Sequence, residues 1–210
     1  MKKISILIAL FCTVMLASGQ QGSTSVDKTF ENITEVEVNV VFSDIIIKAG
    51  EGNAVHVKGE LNWDREKDEY KITTRQSGTT LIVEVDHPRH SRGRASGEFT
   101  ITMPAMTDAD LNSVSGNINV NGVGQRKVKC NTVSGNISAD KIGSDISANN
   151  VSGNIRLNGI KGNAKSNTVS GNLTASNIDG NLKANSVSGD FTITNLKGNR
   201  EISTLSGSVR

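Results

Sequence analysis

Hydrophobic positions in the second half of the chain recur every nine residues. An apolar residue followed by Ser-Gly begins every second unit, and a weaker apolar signal with a nearby glycine begins the units between them. The stronger copies begin at Val114, Val133, Val151, Val169, Val187 and Leu205, and the weaker copies begin at Ile142, Ile160, Ile178 and Leu196. A self-similar period of about two such units indicates a repeat architecture.

Each unit alternates at its centre. Ile155 and Leu157 take the fifth and seventh places of their unit, and the polar Arg156 lies between them. This order predicts a strand with one face inward. Glycine at the third place permits a bend where a Cβ atom would clash or φ would be positive. Because nine is odd, a corner of Asn, Gly, Thr and Ser must restore the phase, and the first place is then expected to be a second inward anchor.

Two units predict one coil of about 18 residues with two strands. Successive coils would pair in parallel at ~4.8 Å and bury an apolar edge that one coil cannot bury alone. We therefore predict an all-β fold: a single-domain parallel β-solenoid (β-helix), with about 18 residues per coil built from two 9-residue units. Irregular N-terminal strands would be either early coils or a cap.

The chain divides into four stretches. Residues 1–19 are predicted to be a signal peptide, and residues 20–35 a leader that is flexible from Gln20 to Asp27. Residues 36–110 are an N-terminal β region continuous with the solenoid, and residues 111–210 are its regular repeats. The strand-like segments of the β region are Val36 to Val41, Asp44 to Lys48, Ala54 to Glu60, Tyr70 to Arg75, Thr80 to Val85 and Glu98 to Met103.

The first residues have the features of an export signal. Two lysines precede an apolar run from Ile4 to Leu16, and Ala17 and Gly19 supply the small residues of a cleavage site. The run is short for a membrane span, which disfavours the alternative of a membrane anchor. We expect an exported protein that is periplasmic, at the cell surface or extracellular.

Cys130 is the single cysteine of the predicted mature chain, so it has no internal disulfide partner. Its unit, residues 123–132, has ten residues. If the extra residue lies within residues 125–127, Val128 and Cys130 take the inward places. Cys130 is then a small core residue; the alternative is an exposed, reactive thiol.

No motif predicts a catalytic, cofactor or metal site. His87 and His90 flank a proline and have no further ligand nearby. The charged run from Trp63 to Glu69 is typical of a solvated hairpin tip. Calcium-binding nonapeptide repeats need Asp in nearly every unit, whereas the fourth place here is mostly Asn. Its members are Asn117, Asn136, Asn154, Asn163, Asn172, Asn181 and Asn199, with Asp145 and Asp190, and they predict a structural hydrogen-bonded column.

Two polar faces are predicted on the outside of the repeats. One carries Asn119, Ser138, Arg156, Thr174 and Thr192; the other carries Lys129, Ser147, Lys165 and Lys183, flanked by Asn131, Asn149, Asn167 and Asn185. Residues 23–110 hold 10 Lys and Arg against 16 Asp and Glu, whereas residues 111–210 hold 11 against 5. The basic repeat half favours anionic partners. The candidate binding residues are Lys165, Asn167, Lys183 and Asn185.

The possible partners are an anionic envelope glycan or another envelope protein, and end-to-end self-association is a further possibility. The sequence has few aromatic residues to stack on sugar rings or bases, so neither a glycan nor a nucleic acid has a strong sequence signal, and we expect no nucleic acid partner. No cofactor is predicted.

The segment from Phe99 to Pro104, followed by repeated Val-Ser-Gly-Asn-Ile units, resembles the bacterial putative-adhesin family of β-strand-repeat (β-helix) proteins of unknown function, related to the head GIN domain. The resemblance covers about Val36 to Arg210. It implies a single β-helix that is exported or faces the cell envelope, and it supplies no catalytic residue. We expect an exported, non-enzymatic β-helix protein with adhesin-like binding or assembly at the cell envelope. The alternatives are a polysaccharide-active β-helix enzyme and a purely architectural, self-assembling rod.

We predict that cleavage occurs between Gly19 and Gln20, because Ala17 and Gly19 occupy positions −3 and −1 of the site. Mass spectrometry of the exported protein should give a chain that begins at Gln20. An intact Met1, or a lipid attached to Cys12, would contradict this prediction.

Overall fold

Alternating apolar and polar residues form strands throughout residues 22–64, 69–88 and 93–210, which are the residues that the computed structural model describes. Within these ranges there is no helix, and so no helix that could cross a membrane. The strands are β1 (Gly22–Glu31), β2 (Glu35–Val40), β3 (Ser43–Gly50), β4 (Ala54–Trp63), β5 (Lys71–Ser77), β6 (Thr80–Asp86), β7 (Ala95–Pro104), β8 (Asp108–Ser115), β9 (Ile118–Asn121), β10 (Lys127–Ser134), β11 (Ile137–Ile142), β12 (Asp145–Ser152), β13 (Ile155–Ile160), β14 (Ala164–Ser170), β15 (Leu173–Ile178), β16 (Leu182–Ser188), β17 (Phe191–Leu196) and β18 (Arg200–Ser206).

The strands form two nine-stranded sheets around one apolar core. The first sheet has the order β1-β4-β7-β3-β9-β11-β13-β15-β17, and the second has the order β18-β16-β14-β12-β10-β8-β2-β6-β5. The prediction of an all-β, single-domain fold is confirmed.

Strands of the repeat half pair in parallel, with an offset of 19 residues for β8 with β10 and β9 with β11, and of 18 residues for the later pairs. Ile155 pairs with Leu173 in the first sheet, and Lys165 pairs with Lys183 in the second. Both offsets are the 18 residues that separate most of the hydrogen-bonded partners in this half. Each repeat therefore contributes one strand to each sheet, and equivalent residues lie side by side.

The N-terminal strands continue both sheets and also end them. β2 and β3 pair in parallel with β8 and β9, and β6 and β7 pair in parallel with β2 and β3. β4, β1 and β5 run antiparallel to their neighbours, and β1 and β5 are the outermost strands at this end.

The expectation of a flexible leader is wrong for Gly22 to Asp27. These residues lie in β1, which pairs along its whole length with β4. Val26 is buried with the core, and Phe30 packs against it. Thr24, Val26, Lys28 and Phe30 share one face of β1, and the contact of Val26 and Phe30 with the core, together with pairing to β4, holds the strand in place. Gln20 and residues 1–19, including the predicted signal peptide, lie outside the described residues.

Glycine at the third place allows neighbouring repeats to approach closely. A Cβ atom on Gly171 would lie 1.9 Å from the carbonyl oxygen of Gly153, and one on Gly189 would lie 2.0 Å from that of Gly171. No side chain fits at these distances, so the predicted clash is confirmed.

The expectation that the first place is an inward anchor is wrong for the stronger copies. In the weaker copies Ile142, Ile160 and Ile178 are fully buried. In the stronger copies the apolar side chain faces solvent, with an exposed fraction of 45% at Val151 and 85% at Leu205.

Backbone conformation at the ninth place explains this difference. Before the weaker copies, Lys141, Gly159 and Asn177 adopt left-handed φ values of 54°, 66° and 55°. A single left-handed residue shifts the alternation by one, so the next side chain turns inward. Before the stronger copies, residues such as Asn150 and Thr168 remain in the strand, take the inward place themselves and leave valine outside.

We predict that Leu157→Asp unfolds the protein, whereas Arg156→Asp does not. Leu157 is fully buried, and an unpaired carboxylate there would be very costly. Arg156 is exposed, where substitutions usually change stability by less than ~0.5 kcal/mol. Thermal unfolding followed by circular dichroism measures both variants. Equal loss of the β signal in the two would refute the register.

A candidate binding surface on the second sheet

The outer face of the second sheet carries three columns of stacked side chains. We name them the Lys column, the Asn column and the Val column. The Lys column is Asp110, Lys129, Ser147, Lys165, Lys183 and Glu201; the Asn column is Asn39, Asn112, Asn131, Asn149, Asn167 and Asn185; the Val column is Val114, Val133, Val151, Val169, Val187 and Leu205.

The predicted site residues lie together as expected from the repeat. Lys165 pairs with Lys183, and Asn167 pairs with Asn185, on the adjacent strands β14 and β16. Lys183 also forms an ion pair with Glu201. Within the part of the chain that the structure describes, Lys165 has no ion-pair partner.

A shallow polar groove of about 450 Å³ borders the Lys column. Its lining holds four cationic side chains, Arg126, Lys127, Lys165 and Lys183, and one carboxylate, Asp145. The Asp145 carboxylate already accepts the backbone N–H of Asn163. The groove is therefore electropositive and suits an anionic group.

Hydrogen bonds run the whole length of the Asn column. The Nδ2 atom of Asn185 donates to Oδ1 of Asn167 over 2.8 Å, and that of Asn167 donates to Oδ1 of Asn149 over 2.6 Å. At the N-terminal end, Asn39 donates to Glu37, so a carboxylate receives the last donor. Each amide has two N–H donors, and among the described residues the second donor of Asn167 and of Asn185 has no partner, so it can donate to a ligand.

The Val column lies beside the Asn column and forms one wall of an open groove of about 640 Å³. Both columns line this groove, and Glu84, Asp86 and His87 lie at its N-terminal end. The first-place valines that were expected in the core thus form an apolar strip on the surface. The sequence carried part of this signal, since the ninth place is Ser or Thr before most of the stronger copies and Lys, Gly or Asn before the weaker copies.

The fourth-place residues form the predicted structural column, because their side-chain oxygen atoms accept hydrogen bonds. Oδ1 of Asn154 accepts the backbone N–H of Asn172, and Oδ1 of Asn172 accepts that of Asp190. Asp190 in turn accepts the backbone N–H and the hydroxyl of Ser208, and these bonds lower the pKa of its carboxyl. A fourth-place Asp is thus held by N–H donors.

The remaining motifs do not converge on a centre of chemistry. His87 is exposed, while His90 and residues 65–68 of the charged run lie outside the described residues. Across the described ranges, no group of three or more His, Cys, Asp or Glu side chains could hold a metal ion.

Cys130 is fully buried in β10, beside Val128, as the interpretation with the extra residue in 125–127 predicted. Burial raises the pKa of its thiol to about 12, and the nearby Asp110 carboxylate contributes to the increase. The thiol is therefore protonated and unreactive at neutral pH.

These features define an all-β repeat protein whose outer surface presents ordered columns of like side chains. The chain belongs to the Toastrack DUF4097 family, whose model matches residues 33–210. No curated protein sequence matches it.

Solved structures are similar to this chain at low sequence identity. A putative adhesin from Bacteroides fragilis is 10% identical with a TM-score of 0.53, and the match covers 89% of this chain and 96% of that chain. A putative cell adhesion protein from Clostridium sporogenes is 9% identical with a TM-score of 0.43, covering 90% and 100%. A putative lipid binding protein from Parabacteroides distasonis is 12% identical with a TM-score of 0.39, covering 92% and 98%. The predicted resemblance to putative adhesins is confirmed.

We predict that a thiol reagent at neutral pH does not label Cys130 in the native protein and labels it fully after denaturation. The reason is that the native thiol is buried and protonated, whereas the unfolded thiol has an ordinary pKa of ~8.5. Mass spectrometry after timed labelling measures both states. Rapid labelling of the native protein would place the thiol at the surface.

Proposed function

We propose that this chain is an exported, non-enzymatic protein that binds an anionic polymer of the cell envelope in the manner of an adhesin. The contact residues are Lys165 and Lys183, with Asn167 and Asn185 beside them. The observation that carries the proposal is the groove along the Lys column, whose lining holds four cations and one carboxylate. Arg126 is paired with Asp108 and Lys183 with Glu201, so Lys127 and Lys165 are the lining cations without an ion-pair partner in the described structure.

We further propose that the repeat half is a parallel β-helix whose 18-residue coil consists of two 9-residue units. The 18-residue offset between paired strands from β10 onward supports this interpretation. Such a helix presents the same contact at each coil, ~4.8 Å apart. A polymer with repeated charges can therefore extend one contact into the next.

The binding should be weak at each position and should depend on salt. An exposed ion pair contributes only ~0–1 kcal/mol, and ions in solution screen it. Part of the charge in the Lys column is also compensated internally, because Lys129 lies 3.0 Å from Asp110 and Lys183 pairs with Glu201. Affinity must therefore come from repetition along the column.

A pull-down with purified anionic envelope polysaccharide tests the proposal. Wild type should be retained at low salt and released at high salt. Lys165→Glu/Lys183→Glu should lower the retained fraction about tenfold or more, because two attractive contacts become repulsive. Arg156→Glu, on the outer face of the first sheet, is the matched control and should bind as wild type does.

Equal retention of wild type and the double variant would refute the Lys column as the contact. If wild type is not retained and light scattering detects end-to-end multimers, the alternative of a self-assembling rod replaces this proposal.

A further inference from the structure

The outer face of the second sheet presents three chemistries in a fixed order along each strand. In β14 the order is Lys165, Asn167, Val169, and β16 repeats it in register with Lys183, Asn185 and its own valine. A strand advances ~3.3 Å per residue, so the cation and the valine are about 13 Å apart. Between them lies the amide with an unused N–H donor.

We propose that this face binds an acidic lipid. Its anionic headgroup would lie beside Lys165 and Lys183, its ester carbonyls would accept the free N–H groups of the Asn column, and its alkyl chain would lie along the Val column. The inference rests on the proposed function, since the same lysines bind the anion, and it specifies the chemistry of the ligand.

Charge complementarity determines the kind of headgroup and the direction of the ligand. Lys165 is exposed and without an ion-pair partner in the described structure, and the groove around it is electropositive. The described residues that line the apolar groove include no Lys or Arg, and its carboxylates, Glu84 and Asp86, lie at the N-terminal end. An anionic group is therefore attracted near β14 and β16 and repelled at the far end.

The dimensions of the strip favour a lipid chain over a protein partner. The Val column is one side chain wide, between the Asn column and exposed serines such as Ser152 and Ser170. A standard protein interface covers ~800 Å² on each partner, far wider than such a strip. The adjoining groove of about 640 Å³ has the size of a small-molecule site, for which volumes of ~300–1,000 Å³ are typical.

The hydrogen bonding of the walls also favours an alkyl chain. Asn112 and Asn149, which line the groove, donate both of their N–H groups, to the next amide of the column and to Asp110 or Ser147, so they remain partnered when the groove is covered. An extended peptide in the groove would bury its own N–H and C=O groups, each of which needs a partner. An alkyl chain has no such requirement.

Titration calorimetry with the mature protein tests the inference. The probes are monomeric short-chain phosphatidylglycerol below its micelle concentration, the matching phosphatidylcholine, and glycerol phosphate as a headgroup without a chain. Phosphatidylglycerol should bind at least about tenfold more tightly than glycerol phosphate, because each fully buried methylene contributes roughly fourfold. It should bind about fivefold more tightly than phosphatidylcholine, whose headgroup has no net charge.

Two sets of substitutions separate the chain from the headgroup. Val151→Thr/Val169→Thr/Val187→Thr should weaken phosphatidylglycerol about tenfold and leave glycerol phosphate unchanged, since a hydroxyl replaces one methyl in each. Thr shares the strand preference of Val, so this variant should keep its fold. Lys165→Gln/Lys183→Gln should weaken both ligands, and Arg156→Gln is the control that should weaken neither.

Three outcomes would overturn the inference: wild type fails to bind phosphatidylglycerol, the valine variant binds it as tightly as wild type, or the lipid binds no better than glycerol phosphate. If wild type still binds the polysaccharide in any of these cases, the proposed function survives and only the lipid is wrong. Light scattering shows whether wild type forms a dimer that the valine variant lacks. In that case a second copy occupies the strip and the inference is refuted.

Discussion

Close contact between glycine backbones fixes the register on which the surface depends. A Cβ atom on Gly171 would lie 1.9 Å from the carbonyl oxygen of Gly153, so glycine is needed wherever successive repeats approach at this corner. The backbone N–H of Gly153 donates to the carbonyl of Ser170 in the next repeat over 3.2 Å. With the corner held in this way, every residue of one repeat lies beside its equivalent in the next.

Stacking equivalent residues restricts which side chains a column can hold. Asn suits a column because its amide both donates and accepts, and successive members bond in one direction. Lysine does not, because adjacent ammonium groups repel. The Lys column accordingly places Ser147 between two lysines, and it places Lys129 beside Asp110 and Lys183 beside Glu201. The single adjacent pair, Lys165 with Lys183, is where this column is most cationic.

The sequence predicted the strands, the inward fifth and seventh places, the polar columns and the buried Cys130. These features follow from the alternation of apolar and polar residues and from the nine-residue period. Both are patterns within short stretches of the sequence. It did not predict β1, because its alternation is weak and it pairs with β4, which is distant in the chain. It also misplaced the first-place valines. The direction of each first-place side chain depends on the φ angle of the residue before it. That residue is left-handed at Asn177 and extended at Thr168. A nine-residue period treats these two positions as equivalent.

The exposed valines are not needed to build the core. Buried Ile160 and Ile178 already occupy the first place in the alternate units, and in the Val units the ninth place takes the inward position. Strand formation does not require valine on the outer face either. Thr has a similar preference for strands and would leave less apolar surface exposed to water. A strip of valine that recurs at one position in successive repeats is therefore explained better by a contact with an apolar ligand than by folding, because folding alone would tolerate a polar residue there.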